Sequence, residues 1–129
     1  MAKLSETEVN ELFNTLQAEL EDIVPFAPNP TWTGQNCRVA TTNGFGSLEV
    51  LADGKATLFV QTSGMGPVEI AQHASMLLKF LEFFFPSWAR AQEWLDKQLL
   101  SSVSEVKFSR ERKLVTLRKS RLGVFLTIE

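Results

Sequence analysis

Residues 36–62 read NCRVATTNGFGSLEVLADGKATLFVQT. Three runs with apolar residues at alternate positions, Asn36–Thr42, Ser47–Ala52 and Ala56–Thr62, are separated by Asn43-Gly44 and Asp53-Gly54. Asn-Gly and Asp-Gly accept the positive φ that tight hairpins require, so the stretch predicts an antiparallel three-strand meander. Gly44-Phe45-Gly46 makes the first turn longer than two residues.

Upstream, Ser5 and Glu8 form an S-x-x-E capping box, and Leu4 and Val9 occupy the positions of a hydrophobic staple. Val9, Leu12, Phe13, Leu16, Leu20 and Ile23 then recur at three- and four-residue intervals, which predicts one helix with a single apolar stripe. Pro25 ends it, because the residue before proline avoids the helical region. Between this helix and the meander lie Pro25, Pro28, Pro30 and Gly34, with Phe26 and Trp32 among them. Restricted backbone and two large aromatics predict an ordered loop there.

Downstream, Gly64, Gly66 and Pro67 break the sheet and open a second helix, with Pro67 near its first position. Its stripe runs through Ile70, Ala74, Leu77, Leu78, Leu81, Phe84 and Phe85 until Pro86 stops it. Ser87 is placed to cap a third helix through about Leu100, with Trp88, Ala91, Trp94, Leu95 and Leu99 on one side. A second meander follows in Val103–Ser109, Leu114–Lys119 and Gly123–Ile128. The order is therefore α-βββ-αα-βββ. Grouped helices and tight hairpins predict a single α+β domain over residues 1–129, with an antiparallel sheet of about six strands packed against helices.

The acidic leading helix, the three-strand meander and the following helix are similar in order to type III secretion chaperones and related dimeric α+β folds. The resemblance covers the first two thirds of the chain. The paired helices and closing meander depart from it, so it transfers no residue; it implies a dimer and a chaperone-like role.

Composition sets further bounds. With 129 residues, 44% hydrophobic and 22% charged, the chain is long enough for its own core. One cysteine, Cys37, forms no internal disulfide. Met1–Lys3 leads straight into acidic Ser5-Glu6-Thr7-Glu8, unlike an export signal. The most apolar run, Met76 to Phe85, is broken by Lys79 and Glu82, and a membrane helix needs about 20 residues. These features predict a cytoplasmic protein with no membrane association.

Two surface features stand out. Phe80, Phe83, Phe84 and Phe85 cannot share one helical face, because successive residues advance by about 100°. A helix apolar nearly all round is either a central core helix or one that meets a second subunit, and a homodimer is expected. Lys107, Arg110, Arg112, Lys113, Arg118, Lys119 and Arg121 face only Glu111 within fifteen positions, a net +6, whereas the first 25 residues set six acids against Lys3. The simplest account is a solvated ion-pair network with the acidic helix or with Glu93 and Asp96. An acidic protein partner comes next, and phosphate-led nucleic-acid contact third. The overall charge of −2 and the single aromatic among these basic residues, Phe108, argue against nucleic acid.

Catalytic templates are thin. Cys37 and His73 are the only thiol and imidazole, and each falls at a position expected to pack in or beside the core. The glycine pairs at 44–46 and 64–66 lack the lysine of a phosphate loop. Of the carboxylates Glu49 and Asp53, the second is accounted for by its turn. No metal site or cofactor is implied. Trp32, in a proline-framed loop, is the residue placed to touch a ligand. The leading expectation is a non-enzymatic protein-binding or adaptor domain acting as a homodimer. A nucleic-acid accessory protein using the basic strands comes second. A secretion-chaperone-like or small-molecule-binding protein comes third.

Overall fold

The computed structural model describes residues 3–129, so the start of the Met1–Lys3 segment lies outside the described residues. The elements in chain order are α1 (Glu6–Glu21), β1 (Thr31–Thr33), β2 (Asn36–Ala40), β3 (Gly46–Val50), β4 (Ala56–Gln61), α2 (Pro67–Phe84), α3 (Ala91–Leu100), β5 (Glu105–Arg110), β6 (Lys113–Lys119) and β7 (Gly123–Ile128). The α+β class holds, and both meanders join one antiparallel sheet in the order β1-β2-β3-β4-β7-β6-β5. The seam is β4 against β7, with Leu58 opposite Leu126 and Phe59 opposite Phe125.

The sheet has seven strands where six were expected. The extra strand is Thr31-Trp32-Thr33 in the proline-framed segment, paired with β2 through Trp32↔Cys37. Prolines at 28 and 30 conceal it, because they interrupt the alternation from which a strand is recognised. Phe26 in the same segment is buried and bridges to Thr41.

All three helices lie in one layer. Ser5 accepts from the Glu8 amide at 3.1 Å and Glu8 accepts from the Ser5 amide at 3.0 Å, so the capping box of α1 is complete. Val9, Phe13, Leu16 and Leu20 carry α1 onto β2 and β3. Helix α2 packs on β4 between its two neighbours. Its fully buried side chains are His73, Met76, Leu77, Phe80 and Leu81, a stripe rotated from the one expected through Ile70 and Ala74. Ile70 is instead 40% exposed.

Helix α3 starts at Ala91, three residues later than a Ser87 cap would place it. Residues 85–91 form turns closed by the Trp88 amide to the Phe85 carbonyl (3.0 Å) and the Ala91 amide to the Trp88 carbonyl (3.3 Å). These turns fold Trp88 back so that its ring meets Phe85, Trp94 and Phe108 at centroid distances of 5.8, 5.4 and 5.5 Å.

Strand periodicity puts alternate residues on opposite faces. Leu48, Leu58, Val60, Leu117, Leu126 and their like point into the helix layer and are fully buried. The residues between them point away from it, and among the described residues no helix covers that side. Both sheet edges, β1 and β5, are unpaired among the described residues.

Candidate functional site

The helix-free face of the sheet carries the densest set of chemically active side chains. Cross-strand register arranges them in rows. One row runs Ala40, Ser47, Phe59, Phe125, Arg118, Glu105, and the next runs Arg38, Glu49, Thr57, Thr127, Thr116, Lys107. At the centre, the half-buried rings of Phe59 and Phe125 lie 4.6 Å apart, and the Arg118 guanidinium sits 4.6 Å above the Phe125 ring. A cation over an aromatic face is attracted by the ring quadrupole, so Arg118 is held flat on the sheet. Below them Thr57 and Thr127 share a hydrogen bond of 3.0 Å between hydroxyls. A depression of about 450 Å³ lies between Glu49, Lys55, Thr116, Arg118 and Phe125.

Charges of both signs ring this centre. Lys55 pairs with Asp53 (4.0 Å) and Glu129 (3.8 Å), and Lys107 pairs with Glu105 (3.4 Å). Exposed pairs of this kind each contribute about 0–1 kcal/mol, so they leave the face polar without locking it.

The seven basic residues singled out from the sequence do not form one patch. Lys107 and Arg118 lie on the helix-free face. Arg110 and Lys113 lie on the other side, 4.7 Å from the Trp88 ring and 5.8 Å from the Phe85 ring. Lys119 donates to the carbonyls of Gln98 (2.8 Å) and Ser101 at the end of α3. Arg112 and Arg121 sit in the β5–β6 and β6–β7 turns. Alternation along each strand produces the dispersal. The acidic helix is equally far from them in the sheet order: α1 covers β2 and β3, while the basic strands close the opposite edge. No ion pair among the described residues joins the two.

The phenylalanine run divides. Phe80 and Phe85 are fully buried, whereas Phe83 and Phe84 are half-buried against the core, their rings edge to face with centroids 5.1 Å apart. Trp32, 37% exposed on β1, borders a shallow depression with Glu6, Thr7 and Asn10 of α1. Cys37 is fully buried under α1, and burial pushes its thiol up to about 11. A thiol so disfavoured as thiolate is a poor nucleophile. His73 donates from Nδ1 to the Gln61 carbonyl at 2.6 Å, and no hydrogen bond joins it to Cys37.

Sequence reasoning missed Phe59 and Phe125 as a pair. The signal was the outward phase of two strands, but their adjacency depends on β4 meeting β7 across the 61 residues between Gln61 and Gly123. Comparison with protein-family models, with curated proteins and with solved structures returns no match to this chain.

Proposed function

We propose that this chain is a non-enzymatic protein-binding domain that acts as a homodimer, with the helix-free sheet face as its binding element and a second copy as the occupant. The observation that carries this is the Phe59–Phe125 pair at the centre of an uncovered seven-strand face, flanked on both sides by charge.

The face is self-complementary. A two-fold axis along the strands between β4 and β7 would lay Phe59 over the partner copy's Phe125 and bring the Arg38/Glu49 half over the Lys107/Arg118/Glu105 half. Isologous interfaces are built from just such surfaces. The operator also opposes the acidic α1 end of one copy to the basic β5–β6 end of the other, which steers encounter. Seven strands about 4.8 Å apart and three to seven residues long give a flat footprint on the order of 600 Å². Side-chain relief and flanking loops raise it toward the roughly 800 Å² per partner of a stable interface.

Aromatics beside Arg118 and Lys107 on a sheet also suit single-stranded nucleic acid. Glu49, Glu105 and Glu129 stand among these cations, and carboxylates there favour a protein surface over phosphates. The test is sedimentation velocity from 1 to 100 µM (roughly the range in which standard-size interfaces dissociate) for wild type and Phe125→Glu. Concentration-dependent dimer lost in the variant, with unchanged circular dichroism, is expected. A monomer throughout, or salt-sensitive binding of labelled oligonucleotide that vanishes in Phe125→Glu, would overturn the proposal.

A further inference from the structure

On the opposite side of the sheet, a cavity of about 560 Å³ opens between α2, α3 and the ends of β4, β6 and β7. Its wall is apolar, formed chiefly by Ala74, Leu77, Leu99 and Val124. Ile70 and Leu100, 40% and 89% exposed, stand at its border. This is the volume and lining of a small-molecule site, for which the usual range is about 300–1,000 Å³.

One polar group in the wall is unusual. His73 is only 2% exposed, yet just one of its ring nitrogens is bonded. The Gln61 carbonyl can only accept, so Nδ1 carries a proton, and in the neutral imidazole Nε2 is then a hydrogen-bond acceptor. No described residue donates to Nε2. Nε2 is not among the polar atoms sealed from solvent, so it meets the space of the open-mouthed cavity, where a ligand hydroxyl can donate to it.

The other charges narrow the ligand. Lys119 lines the same cavity, but its ammonium is already engaged by the carbonyls of Gln98 and Ser101. Asp96, also in the lining, disfavours an anion. We propose that this cavity binds a neutral amphiphile, an apolar body carrying a hydroxyl that donates to His73 Nε2. The site is independent of the sheet face, so either proposal can fail without the other.

Octan-1-ol is a suitable probe, with octanoate as the same tail bearing an anionic head. Titration followed in methyl ¹H–¹³C spectra is expected to give saturable shifts at Ala74, Leu77, Leu99 and Val124, and a shift of the His73 Nε2 resonance. Octanoate is expected to bind about tenfold more weakly or worse, since it offers no donor. Ala74→Phe and, as a second filling variant, Leu99→Trp should abolish the shifts while leaving the remaining spectrum folded. The proposal is overturned if octan-1-ol shifts nothing, if its shifts persist in both filled variants, or if octanoate binds as tightly. Movement of the same methyls on dilution without alcohol would also overturn it, because a second copy would then be the occupant.

Discussion

Lys119, at the end of β6, donates its ammonium to the carbonyl of Gln98 at 2.8 Å and to that of Ser101, across the C-terminus of α3. The last carbonyls of a helix lack intrahelical partners and carry the negative end of its dipole, so a cation there stabilises the terminus. A strand side chain thus fixes where α3 ends and how it sits on the sheet.

Lys119→Met keeps the aliphatic stem but removes both bonds. Stability should fall by about 1–2 kcal/mol, measured by urea unfolding, with amide exchange accelerated in α3 first. Unchanged exchange in α3 would show that packing alone holds the helix.

Gly123 begins β7 where it crosses β4. A Cβ there would fall on the Val60 carbonyl oxygen and within 2.8 Å of the Gln61 Cα. Backbone atoms cannot turn aside as a side chain does. Gly123→Ala should therefore loosen the β4–β7 seam and cost about 3 kcal/mol, a drop in Tm on the order of 10 °C. A melting temperature within a degree or so of wild type would contradict the close approach.

Glu8 is held below the usual carboxylate range by accepting the Ser5 amide. A carboxyl with a depressed folded-state pKa contributes stability that is present above its unfolded value, near 4.5, and lost as pH falls through the folded one. Glu8→Gln, a neutral isostere, should be less stable than wild type at neutral pH. The gap should close as both are taken to acid. Urea midpoints across that range provide the check, and a gap constant with pH would dissociate the charge from the cap.

The parts of this fold that rest on neighbouring residues were legible in the sequence. The Ser5/Glu8 box, the Asn43-Gly44 and Asp53-Gly54 turns and the Pro67 and Pro86 boundaries each operate within a few positions, and each appears in the structure. What depends on distant pairing was not legible. The basic residues looked like one patch because they are close along the chain, yet strand phase sends Arg118 to one face and Lys119 to the other. His73 was expected in or beside the core and is buried there, but its bond to the Gln61 carbonyl at the end of β4 is something no helical periodicity encodes. Phe59 and Phe125 became neighbours only when the two meanders joined.

The free edges of the sheet carry their own protection. Strand β1 is three residues long between Pro30 and Gly34, and β5 presents Glu105, Lys107 and Arg110. Short, charged edges resist further strand addition. Growth sideways into a fibril is thereby disfavoured, and the proposed dimer would use the flat of the sheet instead. A flat surface that mates with its own copy is consumed in doing so. Under the proposed two-fold pairing, assembly would therefore terminate at two copies.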